Sequence, residues 1–314
     1  MKILVTGATG MLGQALVEAL SQQKSLQIFT PPRQFLDYTN KVAVLDYFKD
    51  QRFDFVYHLA AKVGGIAANI ADPVGFFYDN MQINLNVIHA AHMCHVKHFI
   101  NVGSSCMYPR NREILKEEDL LSGELEPTNE GYAISKISSM LYCKYLSQQF
   151  NLHYKTVVPC NLYGEHDHFD PVKAHLVPAI IRKIHEAKMR QDPNVTIWGD
   201  GEARREFMHV ADLVSGLIKA LKEYDSMPML MNMGLGHDYS INEYYAIAAK
   251  VMGYKGQFIH DLNKPVGMKK KLVDIARAKS WGWMPQVSID EGIQRVYHYV
   301  QQHQILDDQE GKGK

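Results

Sequence analysis

Ile3-Leu-Val-Thr6 runs directly into Gly7-Ala-Thr-Gly10-Met-Leu-Gly13, and the reading of that junction decides the fold. The first part is a short apolar run that stops at glycine, which reads as a buried parallel strand. The second part spaces its glycines as GxxGxxG and opens a helix on which Leu12, Ala15, Leu16, Ala19 and Leu20 share a face. Strand, glycine turn and helix in that order are the context of a dinucleotide fingerprint. Glycines let backbone close on a pyrophosphate, and the first N–H groups and positive end of the helix hold its charge. Glycine turns also arise for conformational reasons alone. Their position between strand and helix favours the phosphate reading, so Gly7, Ala8, Thr9, Gly10, Met11, Leu12 and Gly13 form the expected cofactor loop.

Outward from this junction the pattern repeats. Leu26 to Thr30 reads as a second strand closed by Pro31-Pro32, Val42 to Phe48 as helix, and Phe53 to Leu59 as a third strand. A long helix follows over Pro73 to Cys94, then a fourth strand over His98 to Val102, a helix over Gly131 to Phe150 and a fifth strand over Tyr154 to Val158. Strands alternating with helices imply βαβ units. The expected fold is α/β: a Rossmann-type doubly wound parallel sheet with a smaller C-terminal α/β substrate-binding lobe. After Asn161 the loops lengthen. Short strands are expected at Val195 to Trp198 and Met229 to Asn232, and helices at His175 to Arg190, Asp212 to Tyr224, Ile241 to Met252 and Ile289 to Gln302. The expected division is a cofactor domain over residues 1–165, to which some later segments return. A mainly substrate-binding lobe follows over 166–310, with a disordered tail over 311–314.

Size and charge narrow the class. The chain has 314 residues, of which 46% are hydrophobic, enough for a large core. Lys+Arg and Asp+Glu both number 34, so no global field points to nucleic acid or to a membrane surface. Lys269-Lys270-Lys271 reads as a solvated face. Three apolar residues after Met1-Lys2 are too few for a signal-peptide core, and no run approaches the roughly 18 residues of a spanning helix. A soluble, cytoplasmic protein is expected. Cys94, Cys106, Cys143 and Cys160 form neither a CxxC nor a zinc spacing, so no metal is expected and reduced thiols are the plain reading.

The end of the second strand selects the cofactor. NAD sites place an Asp or Glu there for the ribose 2′-hydroxyl. Here Phe29-Thr-Pro-Pro-Arg33 has no acid until Asp37. Arg33 suits a 2′-phosphate, which points to NADP(H), although an arginine on a surface loop fits the same residues.

Tyr132-Ala-Ile-Ser-Lys136 places a phenol and an ammonium on one helix face, a turn apart. A cation beside a phenol favours the phenolate, so the tyrosine can trade a proton near neutral pH. Such pairs are common by chance, and the partners make this one specific. Gly103-Ser104-Ser105 follows the fourth strand, at the carboxyl edge where ligands bind in these folds. Either serine can hold a substrate carbonyl against the tyrosine.

The chain resembles the GDP-L-fucose synthase family of extended short-chain dehydrogenases/reductases. The likeness runs through Ala60-Ala-Lys-Val-Gly-Gly-Ile66, Gly103-Ser-Ser-Cys-Met-Tyr-Pro109, Glu126-Pro-Thr-Asn129, Tyr132-Ala-Ile-Ser-Lys136, Asn161-Leu-Tyr-Gly164 with His166 and Asp167, His175-Leu-Val-Pro178, and Trp198-Gly-x-Gly with Arg205-Glu-Phe. It implies that Tyr132 is the general acid of a ketone reduction, that Lys136 binds the cofactor ribose and tunes Tyr132, and that Ser104 orients the 4-keto oxygen. It makes Cys106 and His175 an acid/base pair at C3 and C5 of the sugar. On residue type alone Cys106 reads as a small buried apolar side chain and His175 as a helix-start residue. A proton α to a ketone is acidic, so one base and one acid suffice to invert the carbon.

The resemblance also adds Leu59, Ala60, Ala61, Gly103, Pro159, Asn161, Leu162 and His175 to the residues near the cofactor. Ser105, Lys183, Trp198 and Arg205 would contact a GDP-4-keto sugar. The two long helices over Pro73 to Cys94 and Gly131 to Phe150 would form a homodimer interface, although their apolar positions equally suit burial in a monomer. Two departures stand out. Val266 replaces an acidic residue common in Lys-Pro-Asp-Gly-Thr segments of the family, and Thr9 stands where some members carry arginine. The expected activity is NADPH-dependent 4-reduction, with 3,5-epimerisation, of a GDP-4-keto-6-deoxy-hexose. The alternative is a C4-reductase of a related GDP-4-keto sugar, such as a 6-deoxy-heptose, without epimerase activity. Epimerases and dehydratases that regenerate their own NAD fit less well, because dehydratases place an Asp–Glu pair where Cys106-Met107 stands here. A non-catalytic NADP-sensing protein fits least, because both Tyr132 and Lys136 are present.

Overall fold

A computed structural model of the chain describes residues 1–170, 174–264 and 269–306. The expectations attached to Val266 and to the 311–314 tail lie outside the described residues.

Strand β1 (Lys2–Thr6) passes through the glycine turn to helix α1 (Met11–Ser21) and returns to β2 (Gln27–Phe29). Helix α2 (Lys41–Gln51) starts where the Asn40 side chain accepts Ala43 N, and leads to β3 (Phe55–His58). The short α3 (Ile66–Ala71) precedes α4 (Pro73–Met93), which has proline in its first turn and Asp72 capping Gly75 N. Then come β4 (His98–Val102), the two-residue β5 (Ile114–Leu115), α5 (Glu130–Phe150), β6 (Lys155–Pro159) and β7 (Asn161–Tyr163). The last part holds α6 (Leu176–Met189), β8 (Asn194–Trp198), β9 (Arg204–Arg205), β10 (Phe207–His209), α7 (Val210–Lys222), β11 (Leu230–Met233) and β12 (Tyr239–Ser240). It ends with α8 (Ile241–Met252), β13 (Gln257–Asp261), β14 (Leu272–Val273), α9 (Ala276–Ser280) and α10 (Ile289–Gln302).

Six strands form one parallel sheet in the order β11-β6-β4-β3-β1-β2. The chain leaves β1 for β2 on one side and crosses back to β3 on the other. Between the carboxyl ends of β1 and β3 lies the switch point where open sheets of this kind bind ligands. Leu16 and Leu20 of α1 pack with Leu213 and Leu217 of α7 in a core on one side of the sheet. Val44 and Phe48 of α2 pack with Val87 and Ile88 of α4 and Cys143 and Leu146 of α5 in a core on the other. A third core joins α6, α8 and α10 through Ile180, Ile184, Tyr244, Ala248, Ile293 and Val296.

Leu230–Met233 is the outer strand of the main sheet, paired in parallel with Thr156 to Pro159, so the late chain returns to the first core. One element has no counterpart in the sequence reading. Gln257–Asp261 forms a strand beside β8 that no periodicity signals, because its residues are mostly exposed and its pairing does the holding.

Candidate active site

The glycine loop shows which of its residues the fold requires. Gly7 has φ +69°, and a Cβ there would lie 2.8 Å from Ala60 N. A Cβ on Gly13 would lie 2.2 Å from Gly7 O. These two glycines let the end of β1, the start of α1 and the end of β3 touch. Gly10 differs: a Cβ there would meet only Gly7 O, at 3.5 Å, an ordinary contact. The fold therefore tolerates a side chain at Gly10, and the open space there suits close approach by a phosphate. Helix α1 begins at Gly10 without a side-chain cap and without an acid in its first turn, so its N–H groups face that space with no competing anion.

Gly7, Ala8, Thr9, Arg33, Ala60 and Ala61 line one cavity of about 310 Å³ at the switch point. Arg33 is at its rim, with its side chain 81% exposed and 3.9 Å from Asp37. Asp37 is turned away onto Thr39, accepting from both its N–H and its hydroxyl at 2.9 Å, and the Thr39 N–H holds its carboxyl below the usual range. The acid that follows Arg33 is thus spent on its own turn.

At the carboxyl end of β4 the chain does not stay extended. Ser105–Met107 form a turn of 3₁₀ helix, and the Ser104 hydroxyl accepts Cys106 N at 3.3 Å. The turn brings Ser104 and Cys106 to the same side by curling rather than by alternation. Tyr132, in the first turn of α5, reaches this pair: burial pushes its phenol up, negative charge at Cys106 adds to that, and a hydrogen bond with Ser104 opposes it. The phenol is held in its protonated, proton-donating form. Lys136 lies one turn on, buried, with Nζ donating to Val102 O at 2.9 Å, and burial brings its ammonium down to about 8.

Beneath these groups runs a buried polar chain that sequence reasoning missed. Leu59 N and Ala60 N both donate to Thr6 Oγ1 at 3.0 Å, so the Thr6 hydroxyl hydrogen is free for His58 Nδ1, also at 3.0 Å. At the far end Asn84 Nδ2 donates to Ser135 O at 3.1 Å, which leaves Asn84 Oδ1 to accept from His58 Nε2 at 2.9 Å. Both ends thus fix a neutral His58 protonated on Nε2. Burial first, and the Lys136 charge second, bring it down to about 3. This chain ties the cofactor-side backbone at Leu59 and Ala60 to the catalytic turn of α5. A lone histidine at a strand end carries no sequence signal of it.

His175, Lys183 and Trp198 line a second cavity of about 490 Å³. His175 is the N-cap residue of α6 with no side-chain cap bond, and Lys183 is two turns on along the same helix. Trp198 is 60% exposed, and the Lys183 and Lys264 ammonium groups stand 5.1 and 5.4 Å from its ring centroid. An exposed indole flanked by two cations suits a planar base carrying a diphosphate. Arg205 lies on β9 beside Tyr239, and burial lowers its guanidinium. Its neighbour Glu206 is a buried anchor that accepts Gly236 N and Val273 N at 2.8 Å, and burial raises it to about 7. Asn161 heads β7 after Pro159 and donates to Glu206 O at 3.3 Å. Leu162 pairs with Met208 of β10, and Gly103 N donates to Val157 O at 2.8 Å. Ser105 is buried beneath the catalytic turn. Lys270 pairs with buried Asp238 at 3.4 Å, so the lysine run is not wholly a solvated face. Among the described residues no group of His, Cys, Asp and Glu could hold a metal ion.

The sequence matches the NAD dependent epimerase/dehydratase family over residues 3–236. It is 46% identical to a GDP-L-fucose synthase of Azorhizobium caulinodans over 95% of this chain and 96% of that one. It is 44% identical to a GDP-L-colitose synthase of Yersinia pseudotuberculosis over 95% of this chain and 97% of that one. Among solved structures, a GDP-mannoheptose C4 reductase from Campylobacter jejuni with NADP bound superposes with a TM-score of 0.86 at 31% identity, over 96% of this chain and 98% of that one. Sheet order, glycine loop, strand-end serines and the Tyr132–Lys136 pair agree with these likenesses: the chain belongs to the NAD dependent epimerase/dehydratase family, on the branch that holds the GDP-L-fucose synthases.

Proposed function

We propose that the chain is an NADPH-dependent enzyme that epimerises C3 and C5 of a GDP-4-keto-6-deoxy-hexose and reduces its C4 ketone, forming GDP-L-fucose. The observation that carries this reading is the convergence of Ser104, Cys106 and Tyr132 at the carboxyl edge of the sheet, with Lys136 buried behind them. The residues also fit the cofactor: Gly10 leaves room where the fold needs none, and Arg33 is exposed, with one long, solvent-exposed ion pair to Asp37. The glycine loop, Ala60, Ala61 and Arg33 would hold it, with Lys136 at the ribose. When bound, NADPH supplies the hydride for the C4 carbon.

The chain's own residues do the rest. Ser104 donates to the C4 oxygen and withdraws charge from the carbonyl, which acidifies the hydrogens at C3 and C5. Cys106 takes such a hydrogen as a proton, and the electron pair moves into the carbonyl as an enolate. His175 returns a proton from the opposite face, which inverts the carbon. Tyr132, kept protonated by burial, gives its proton to the C4 oxygen in the reduction. Lys183, Trp198 and Arg205 bind the GDP moiety.

A second reading, C4 reduction of a GDP-4-keto heptose without epimerisation, is favoured by the likeness to the Campylobacter heptose reductase and by Val266. We assign residues 1–165 with the returning segments to cofactor binding, and the remainder to 310 mainly to substrate binding. We also place the protein in the cytoplasm as a homodimer. Four free thiols support the first. The outward face of α4 and α5, with Val74, Phe77, Tyr78 and Tyr145 exposed, supports the second. Among the described residues no helix is long and apolar enough to cross a membrane.

Tyr132→Phe tests the enzyme reading. It removes the donated proton and lowers NADPH oxidation with the GDP-4-keto sugar by about 100-fold or more. Undiminished turnover with both hexose and heptose substrates contradicts the mechanism.

A further inference from the structure

Asn129 occupies the N-cap of α5, three residues before Tyr132. Asparagine at an N-cap normally turns its side-chain oxygen onto the free N–H groups of the first turn. Asn129 does not: its side chain makes no cap bond. Instead Nδ2 donates to Cys106 Sγ at 3.2 Å. Its Oδ1 is buried and has no hydrogen-bond partner among the described residues. Buried amide oxygens are normally satisfied, and one that is not is characteristic of functional sites. The side chain thus makes no helix cap and spends its one hydrogen bond on the sulfur. A cap residue with a purely structural role does the reverse.

We propose that Asn129 is a positioning residue for the proton transfers at C3 and C5: its amide N–H holds Cys106 Sγ in the direction from which it meets the sugar. The inference rests on the epimerase reading above. In the step concerned, the C–H bond at C3 or C5 breaks and an S–H bond forms on Cys106. The C–H electron pair moves into the C4 carbonyl as an enolate, and His175 supplies the new C–H proton. A hydrogen bond donated to the anionic sulfur stabilises the form that accepts the proton. It also fixes the direction of the sulfur lone pair, which the backbone bond from Cys106 N to Ser104 Oγ does not do by itself. The same arrangement separates the two acid/base roles. Burial first, and charge on Cys106 second, favour the protonated phenol on Tyr132, so the proton donor of the reduction sits beside the group that Asn129 orients.

Asn129→Asp and Asn129→Ala separate this role from helix capping. Aspartate is nearly isosteric and an equally good cap, but it offers the sulfur no donor and adds a negative charge beside it. With GDP-4-keto-6-deoxy-mannose in D2O and no NADPH, deuterium uptake at C3 and C5 is expected to fall at least tenfold in both variants. NADPH oxidation with the already epimerised 4-ketone stays within twofold of the unaltered protein. Uptake in Asn129→Asp equal to that of the unaltered protein overturns the proposal. If the unaltered protein takes up no deuterium, the epimerase reading fails instead. The sulfur contact is then decided by iodoacetamide alkylation of Cys106, followed by peptide mass across pH. Asn129→Asp is expected to slow alkylation of Cys106 at least fivefold at matched pH, and an unchanged rate overturns the proposal.

Discussion

Lys136 Nζ donates to Val102 O at 2.9 Å, so helix α5 is pinned to the end of strand β4 by a buried cation. Burial has brought that ammonium from its ordinary 10.5 to about 8. A base whose folded value is depressed costs no stability above its unfolded value; the cost grows as pH falls from the unfolded to the folded value and is constant below that. Lys136→Met removes this cost. At pH 6.5 the variant is expected to be more stable to urea by up to about 3 kcal/mol, with the gain vanishing near pH 10.5. Turnover falls by about 100-fold or more over the same range. A variant that is destabilised equally at pH 6.5 and at pH 10 contradicts the assignment of Lys136 as a strained, functional cation.

The glycines at 10 and 13 are expected to fail differently. A Cβ at Gly13 collides with Gly7 O at 2.2 Å, so Gly13→Ala costs about 2 kcal/mol or more of stability, read by urea denaturation. A Cβ at Gly10 meets only an ordinary contact, so Gly10→Ala costs only the loss of a better N-cap residue, about 1 kcal/mol or less. Its NADPH dissociation constant nonetheless rises about tenfold or more by fluorescence titration. Equal NADPH affinity in Gly10→Ala contradicts the phosphate cradle.

Much of the fold was legible because its signals are local. The apolar run at Ile3 to Val5, the glycine turn and the apolar face of α1 each suffice to name an element. Their repetition gives a doubly wound sheet. What was not legible depends on partners distant in sequence. Gln257–Asp261 is a strand only because Asn194–Trp198 pairs with it. His58 and Asn84 matter because Thr6 and Ser135 meet them across the fold. In the site, Tyr132, Lys136 and Ser104 announce themselves by spacing. Cys106 and His175 come only through resemblance, and Asn129 comes only from the atom its amide chooses.

Arg33 is expected to carry the preference for the 2′-phosphate. Its guanidinium is exposed and 3.9 Å from Asp37, which is satisfied by Thr39. Arg33→Ala is expected to raise the KM for NADPH about tenfold and leave that for NADH within twofold, measured at a fixed sugar concentration. A parallel rise for both cofactors places Arg33 outside the phosphate site.

The most direct test of the whole account is a single incubation with NADPH and GDP-4-keto-6-deoxy-mannose in D2O, with the product sugar identified by NMR. The account predicts GDP-L-fucose carrying deuterium at C3 and C5. An undeuterated, unepimerised 4-reduced sugar, or no NADPH oxidation at all, contradicts it.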